Sequence, residues 1–245
     1  MLSEFRHENI QENEAFMRPN NTTDLNSRFG GTCAEDILQS AIRELFCERV
    51  ALVCSFGTES AVLLHMISNI DRALPILFLN TLKHFDETIE YRDQLIEVFG
   101  LTGVRSIQPS SSDIEATDPN GLLWASAPDA CCALRKVQPL EAESIRFDAL
   151  ITGRKRHHGE ARQAVQIFEQ DGERLKINPL ADWTRDKVQD YMNQHHLPRH
   201  PLEADGYPSI GCTVCTSRVA LGESFRAGRW RGSEKTECGI HFPQK

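Results

Sequence analysis

Short apolar runs alternate with helical patterns along this chain of 245 residues, and this alternation restricts its fold more than any other feature. The runs are rich in β-branched residues, whereas the segments between them repeat apolar residues at helical spacing. Such a series predicts an α/β fold, with a mainly parallel sheet and helices on both faces. The predicted strands are RVALVCSF, LPILFLN, GVRSIQ and DALITG, and the predicted helices include AEDILQSAIRELF, AVLLHMISNI, FDETIEYRDQLIEVFG and TRDKVQDYMNQHHL.

The chain divides into three predicted segments. Residues 1–25 show no sustained period and are expected to be loosely held. Residues 26–217 form the α/β domain, and residues 218–245 form a basic C-terminal segment that ends in a mobile tail. The first twenty residues are too polar and acidic for a targeting peptide, and no apolar run approaches the roughly 20 residues of a membrane span. We therefore expect a cytoplasmic protein with no membrane partner.

The overall charge argues against nucleic acid as a partner. Aspartate and glutamate number 35 and lysine and arginine 27, which gives a net charge of −8. A general nucleic-acid binder would carry the opposite balance. An anionic substrate must therefore be held by a local basic cluster, and the stretch FRAGRWRGSEK supplies one. Its cations are Arg226, Arg229, Arg231 and Lys235, against the single acid Glu234.

Ligands of open α/β sheets bind beyond the carboxyl ends of the strands. This rule directs attention to SFGTES at 55–60, NTLK at 80–83 and TGRKRHHGEAR at 152–162. In SFGTES, Gly57 permits a tight turn, and the backbone N–H groups precede a helix, which suits an oxyanion. The lysine of the Walker pattern is absent, so this motif alone is weak evidence.

The basic stretch TGRKRHHGEAR allows two interpretations. Its cations Arg154, Lys155, Arg156 and Arg162 follow a predicted strand end, so they either hold an anion or form a solvated surface loop. Four histidines lie here and in the later helix without metal-ligand spacing, and we expect them to be exposed. They are His157, His158, His195 and His196.

Eight cysteines in an intracellular chain do not indicate a disulfide framework. Three of them, Cys33, Cys47 and Cys54, lie in apolar or helical patterns and are predicted to pack in the core. CCALRK and GCTVC together offer four thiolates, the number that an iron–sulfur cubane or a zinc ion requires. An adjacent pair suits a larger cluster better than one small ion, but zinc and unrelated thiols remain alternatives. Lys136 would lie on the helix face of the second thiol of CCALRK.

Five stretches together resemble the assimilatory adenylylsulfate/phosphoadenylylsulfate reductases, from about residue 25 to residue 241. They are SFGTES, CCALRKVQPL, TGRKR, GCTVCTSRVALGESFRAGRWRG and KTECGIH. That family is a branch of the PP-loop, adenine-nucleotide α-hydrolase-like fold. The resemblance implies that residues 26–217 bind a nucleotide and that the enzyme reduces adenylylsulfate to sulfite and AMP through a cysteine S-sulfonate. It further implies thioredoxin or glutaredoxin as the reductant, and we expect a homo-oligomer.

The resemblance also assigns residues. Cys238 is the implied nucleophile, on a tail that must move between substrate and reductant. The implied ligands of a [4Fe–4S] cluster are Cys131, Cys132, Cys212 and Cys215, as in members that prefer adenylylsulfate. The implied substrate-binding residues are Ser55, Phe56, Gly57, Glu59, Ser60, Lys136, Arg154, Arg226, Arg229 and His241.

Three other functions remain open at this point. A phosphoadenylylsulfate-specific reductase is the nearest. An ATP-using PP-loop enzyme is disfavoured because SFGTES replaces the usual SGGxDS. A non-catalytic zinc- or cluster-binding module would leave Cys238 without a purpose, unless that residue is a stray surface thiol.

One stretch departs from the family pattern LDTG(K/R). This chain reads LNTLK, with Asn80 in place of the acid and Leu82 in place of the glycine. Glycine at a strand-end turn permits a positive φ or a close approach to a ligand. We therefore expect this loop to take a different course and to bind the nucleotide less tightly.

Overall fold

A six-stranded sheet forms the centre of the computed structural model, which describes residues 21–159, 162–233, 235 and 237–241. The strand order is β3-β2-β1-β4-β6-β5, and every pairing is parallel except the antiparallel pair of β5 and β6. The predicted fold class and all four predicted strands are confirmed. The strands are β1 (Val50–Cys54), β2 (Ile76–Leu79), β3 (Val104–Ile107), β4 (Ala149–Ile151), β5 (Phe168–Asp171) and β6 (Arg174–Ile177).

Nine α-helices lie in the described residues, and none of them is both long and apolar enough to cross a membrane. The four predicted helices are confirmed, including Gly100 as a left-handed C-cap at φ 61° and Thr184 as an N-cap that accepts from the Lys187 N–H. The helices are α1 (Thr22–Phe29), α2 (Ala34–Ser40), α3 (Ser60–Ile70), α4 (Asp86–Phe99), α5 (Ser111–Thr117), α6 (Leu123–Ser126), α7 (Pro128–Cys132), α8 (Gln138–Ser144) and α9 (Arg185–Gln194). Single π-helical turns continue α2 through Ala41–Leu45 and join α7 to α8 through Ala133–Val137.

Helices cover both faces of the sheet. Alternate residues of β1 point to opposite sides, so Leu52 packs in the larger apolar cluster with α2, α3, α4 and α9, whereas Ala51 packs in the smaller one. Leu140 of α8 covers that second face, and Ile240 of the C-terminal tail packs against it. The described tail is therefore docked on the sheet.

Two local predictions need correction. α1 begins inside the segment that was expected to be loosely held, and its Leu25 and Phe29 are buried; residues 1–20 lie outside the described part of the chain. Cys33 and Cys47 are exposed, and only Cys54 of the three packs in the core. Cys33 accepts from the Asp36 N–H as the N-cap of α2, and the Cys47 thiol donates to the Arg43 carbonyl just past the π turn.

The sequence patterns did not predict the β5–β6 hairpin. Its strands, FEQD and RLKI, are short and mostly polar, so they show neither an apolar run nor a helical period. A two-residue loop joins them, and Gly172 takes the positive φ of 62° that such loops favour.

The order of the strands places a crevice at the carboxyl ends of β1 and β4. The chain passes from β1 to β2 and β3 on one side, then returns to β4 on the other. A reversal of this kind opens a space between the loops that follow the two central strands. SFGTES follows β1 and TGRKR follows β4, so the two motifs face each other across this crevice.

Candidate active site

A cleft of about 1370 Å³, including its open mouth, lies at the carboxyl ends of β1 and β4. The turn after β1, the loop after β4, residues 209–211, residues 225–230 and the tail form its walls. Ten of the residues implied by the family resemblance line it: Ser55, Gly57, Glu59, Ser60, Lys136, Arg154, Arg226, Arg229, Cys238 and His241.

Phe56 is the exception among the implied substrate-binding residues. Its side chain is fully buried and packs edge-to-face on Phe78, with the ring centroids 5.3 Å apart, so it points into the core. Phe56, and not Gly57, takes a positive φ in this turn, at 50°. The backbone of the turn and the start of α3 therefore face the cleft, whereas the Phe56 side chain packs in the core on the opposite side.

Glu59 is the last residue before α3, and its carboxylate accepts two hydrogen bonds. Lys155 Nζ lies 2.7 Å and His158 Nε2 lies 3.0 Å from Glu59 Oε2. Burial would raise the pKa of Glu59, but Lys155 and His158 hold it well below its usual value. Burial lowers the pKa of His158 to about 4, so its ring is neutral and, contrary to our expectation, largely covered. His157 also offers a nitrogen within 4.8 Å, but the adjacent Lys155 ammonium disfavours a metal ion there.

The basic loop after β4 is not a solvated loop. Arg154, Lys155 and Arg162 are buried, with 7%, 2% and 8% of their surface exposed. Each cation of the stretch TGRKRHHGEAR has a carboxylate partner. The pairs are Arg154 with Glu169, Lys155 with Glu59, Arg156 with Asp182 and Arg162 with Glu237.

Three other cations of the cleft, unlike those of the basic loop, have no carboxylate partner among the described residues. Among the described residues, no carboxylate lies within 4.0 Å of the side-chain nitrogens of Lys136, Arg226 or Arg229. Burial and the neighbouring guanidinium groups lower the pKa of Arg226 to about 10, which still leaves it charged at neutral pH. Buried charges without partners are costly. The three cations without a carboxylate partner therefore make this end of the cleft electrostatically suited to an anion.

Cys238 lies at that cationic end and is 7% exposed, so it is not a stray surface thiol. It packs with Cys132 and Trp230, and Gly239–His241 forms a short 3₁₀ turn after it. A hydrogen bond from the Cys132 thiol lowers the pKa of Cys238, and the Lys136 and Arg229 charges lower it further. A thiol in such a setting is suited to nucleophilic attack.

His241 occupies the other side of the tail. Its backbone N–H donates to the Cys238 carbonyl at 3.0 Å, and its buried Nδ1 has no partner among the described residues. Burial, followed by the charges of Arg162 and Arg154, holds the pKa of the ring well below its usual value. A neutral imidazole with a free nitrogen can bind a ligand without adding charge.

The four cysteines of CCALRK and GCTVC converge beside this end of the cleft. Cys131 and Cys215 each interact electrostatically with Cys212, and Cys132 and Cys215 pack in one group with Trp230. Burial raises the pKa of Cys131 and Cys215, which a bound metal would reverse.

The spacing of these sulfurs distinguishes the two metal alternatives. Sulfurs on one tetrahedral zinc ion lie roughly 3.8 Å apart, because each Zn–S bond is about 2.3 Å long. No three Sγ atoms of these four described cysteines lie within 4.8 Å of one another. A cubane binds each thiolate through a separate iron and tolerates wider spacing. The arrangement fits a cluster better than zinc.

The turn after β2 keeps the course that a glycine would give it, contrary to our expectation. Leu82 takes a positive φ of 60°, and its N–H donates to Asn80 Oδ1 at 3.1 Å. Its side chain is 52% exposed and does not line the cleft. Asn80 therefore supports the turn, and Leu82 bears the backbone strain without reaching a nucleotide.

Two contributors to the site could not be identified from the sequence. Trp230 is buried and packs with Cys132, Cys215 and Cys238, and Arg229 lies 4.5 Å from its ring centroid. Glu237 pairs with Arg162 across 75 positions of the chain. No sequence pattern predicts that a tryptophan or a glutamate will make such a contact. Only the three-dimensional fold brings the partners together.

The open α/β sheet, with a cationic cleft at the carboxyl ends of its central strands and a buried thiol beside that cleft, has the fold of the PP-loop enzymes. Residues 49–218 match the family described as phosphoadenosine phosphosulfate reductase domain, and the chain belongs to this family. It is an oxidoreductase that acts on a sulfur group.

Curated relatives and solved structures agree with this membership. The chain is 50% identical over 218 residues to the adenosine 5′-phosphosulfate reductase of Mesorhizobium japonicum, covering 89% of this chain and 86% of the relative. It is 37% identical over 224 residues to the enzyme of that name from Shouchella clausii, covering 90% and 92%. The phosphoadenylyl-sulfate reductase structure from Candida auris aligns with a TM-score of 0.67 at 25% identity, covering 80% of this chain and 95% of that one. FMN adenylyltransferase from Candida glabrata shares the fold alone, with a TM-score of 0.53 at 13% identity over 89% of this chain and 79% of that one.

Proposed function

We propose that this enzyme reduces adenosine 5′-phosphosulfate to sulfite and AMP with electrons from a protein dithiol. One observation carries the proposal: the Cys238 thiol lies beside the unpaired cations Lys136 and Arg229, at the end of a nucleotide-sized cleft. Two relatives that span most of the chain carry the name of this activity.

The nucleotide half of the substrate would bind between the turn after β1 and the loop after β4. Gly57 and Ser60 offer backbone and hydroxyl donors at the start of α3, where a helix favours negative charge. Leu79 and Leu150 supply apolar surface in the same cleft. In this pose the adenosine and its phosphate would lie near the sheet and the sulfate would point toward Cys238.

The first chemical step is attack of the Cys238 thiolate on the sulfate sulfur. A sulfur–sulfur bond forms, the bond from sulfur to the bridging oxygen breaks, and its electron pair leaves on AMP. Negative oxygens shield that sulfur and repel a thiolate. Lys136, Arg226 and Arg229 would offset the repulsion, because preorganised cations stabilise charge that develops in the transition state.

The second step regenerates the enzyme. A thiolate of reduced thioredoxin or glutaredoxin attacks the Cys238 sulfur, and sulfite leaves with the bonding electron pair. The second thiol of the reductant then releases Cys238 and leaves the reductant as a disulfide. Two electrons pass from the dithiol to sulfur, so no other donor is needed.

A [4Fe–4S] cluster is the cofactor that the four-cysteine group fits. Cys131, Cys132, Cys212 and Cys215 would hold it. When bound, it would join the two cysteine segments into one wall of the cleft without transferring an electron itself. In that state Cys132 carries no proton, so Lys136 and Arg229 remain as the groups that favour the Cys238 thiolate.

The ion pairs of the basic loop favour adenosine 5′-phosphosulfate over its 3′-phosphorylated form. An additional phosphate requires an additional cation, and Arg154, Lys155 and Arg156 are already paired with carboxylates. Freeing Arg154 or Lys155 would leave Glu169 or Glu59, both largely covered, without its partner, which is costly. The pair of Arg156 with Asp182 is exposed and weighs less in this argument.

Two variants test the separation of the nucleophile from the cluster. Cys238→Ser should release no sulfite from adenosine 5′-phosphosulfate yet retain about four irons per chain when it is purified without oxygen. Cys212→Ser should lose the iron. Cys47→Ser, which removes an exposed thiol, is the matched control and should change neither property. Loss of iron in Cys238→Ser would make Cys238 a ligand and contradict the proposal.

A further inference from the structure

A continuous series of polar contacts links the tail to the turn after β1. Glu237, directly before Cys238, accepts two hydrogen bonds from Arg162, and the one from Nη2 to Oε2 is 2.8 Å long. Arg162 Nη1 lies 3.1 Å from His158 Nδ1. His158 Nε2 lies 3.0 Å from Glu59 Oε2. The residue next to the nucleophile is thus connected to Glu59, the residue directly before α3.

The protonation of this series is consistent along its length. An arginine only donates hydrogen bonds, so Arg162 donates to His158 Nδ1. The His158 proton then lies on Nε2 and is donated to Glu59. Each contact has one donor and one acceptor, with a neutral imidazole between two ion pairs.

We propose that Glu237 is the positioning residue that docks the nucleophile, and that Arg162 is its receptor. The contacts from His158 to Glu59 make docking sensitive to whether a nucleotide occupies the turn after β1. This inference rests on the proposed function where it calls Cys238 the nucleophile and where it places a nucleotide at the turn after β1; the docking role of Glu237 does not depend on either.

Electrostatics explains why a carboxylate is tolerated at this position. A free carboxylate beside the nucleophile would repel an anionic substrate. Glu237 and Arg162 are 6% and 8% exposed, and their charges neutralise each other. Such a buried pair adds little net stability, but losing one partner is strongly unfavourable. The pair therefore specifies one docked position for Cys238, while Ile240 fixes the other side of the tail on the sheet.

Alkylation of individual cysteines measures docking without requiring activity. The protein, purified without oxygen, is treated with iodoacetamide, and the modification of each cysteine peptide is followed by mass spectrometry. Glu237→Gln should raise the rate at Cys238 roughly tenfold or more, because the docked tail loses its buried ion pair. AMP should slow modification of Cys238 in the unmodified sequence, and Glu237→Gln should remove this protection.

A matched control is available in the same C-terminal segment. Glu223 and Arg231 form a bidentate pair of the same kind, with distances of 2.8 and 2.7 Å, but on the surface. Glu223→Gln should leave the rate at Cys238 within about twofold, since exposed pairs contribute little. Exposed Cys33 and Cys47 serve as references, and buried Cys54 reports global unfolding.

Equal rates at Cys238 in the unmodified sequence and in Glu237→Gln would overturn the proposal. If Cys54 also becomes reactive in that variant, Arg162→Lys is used instead, because it keeps the charge and removes the bidentate geometry. It should raise the rate at Cys238 with Cys54 protected, and an unchanged rate would overturn the proposal.

Steady-state kinetics separate positioning from a merely structural role. Glu237→Gln should lower kcat roughly tenfold with little change in KM, and Glu237→Asp should recover part of kcat. A change confined to KM would contradict positioning. Absence of sulfite release in the unmodified enzyme would instead refute the proposed function, and the alkylation comparison would still decide whether Glu237 docks the tail.

Discussion

Arg229 lies directly across the backbone of Gly211, so closely that a Cβ on Gly211 would be 2.3 Å from Arg229 Nη2 and 2.6 Å from its Cζ. The guanidinium also donates to the Ile210 carbonyl at 2.9 Å. Only glycine leaves room for the cation in this position. Gly211, directly before the CxxC pair, therefore allows the Arg229 charge to lie beside Cys238.

Gly211→Ala should impair catalysis by displacing Arg229. Removing one preorganised donor from a developing charge costs about 10²-fold or more in kcat, and we expect a loss of that order with the fold retained. Sulfite release and the thermal midpoint measure the two effects. Arg231→Ala, which removes a surface arginine paired with Glu223, should change the rate less than about twofold. Similar losses in both variants would show that Arg229 has no special role.

Leu82→Gly should stabilise the protein by about 1 kcal/mol, because it relieves a left-handed backbone at φ 60°. The Kd for AMP should not change, since Leu82 does not line the cleft. Urea unfolding and calorimetric titration measure these quantities. Leu221→Gly, at an exposed leucine without a positive φ, is the control and should be neutral or destabilising. Tighter AMP binding in Leu82→Gly would restore the idea that this loop weakens nucleotide recognition.

Stability should fall as the pH decreases from about 6.5 to 4. Burial lowers the pKa of His200 to about 4, and its Nδ1 accepts from the Leu202 N–H, so a second proton has no place. The unfolded chain takes up this proton near pH 6.5 and the folded chain only near pH 4. The contribution of His200 to the free energy of unfolding is therefore complete above pH 6.5. It is lost as the pH falls from 6.5 to 4, by at most about 3 kcal/mol.

His200→Asn tests this assignment, because the asparagine oxygen can still accept from the Leu202 N–H. The variant should be less stable at pH 8 but should lose less stability between pH 8 and pH 5 than the unmodified protein does. Urea midpoints at the two pH values give the comparison. An identical loss in both proteins would show that His200 does not contribute.

Substrate choice follows from the paired cations of the basic loop. We expect kcat/KM for adenosine 5′-phosphosulfate to exceed that for the 3′-phosphorylated substrate by roughly 10²-fold, because the buried cations Arg154 and Lys155 would have to lose a carboxylate to bind the extra phosphate. Sulfite release with each substrate measures the ratio. A ratio near one, or a preference for the 3′-phosphorylated form, would refute this interpretation.

The sequence predicted the architecture because its strongest signals are local. The apolar runs of β1, β2 and β4 and the spacing in α4 follow from burial on a two-sided sheet. The β5–β6 hairpin was not predicted, because its strands are mostly polar. Cys47 was misassigned because it stands in a helical pattern, although the chain leaves the helix just before it.

The candidate site was predictable in its residues but not in its contacts. Motif resemblance identified Cys238, Lys136 and Arg229, which meet in the cleft. It did not reveal that Arg162 is paired with Glu237 or that Gly211 makes room for a guanidinium. Such contacts join residues that are distant in the sequence, and neither apolar periodicity nor motif spacing predicts them.

The mass of Cys238 after reaction with substrate alone shows whether this thiol is the nucleophile that attacks the sulfate sulfur. The enzyme is incubated with adenosine 5′-phosphosulfate without reductant, and its cysteine peptides are analysed by mass spectrometry. We expect one sulfonate group on Cys238, with AMP released in equal amount, and loss of that group as sulfite when reduced thioredoxin is added. A sulfonate on another cysteine, or sulfite formation under turnover with Cys238 never modified, would contradict this assignment.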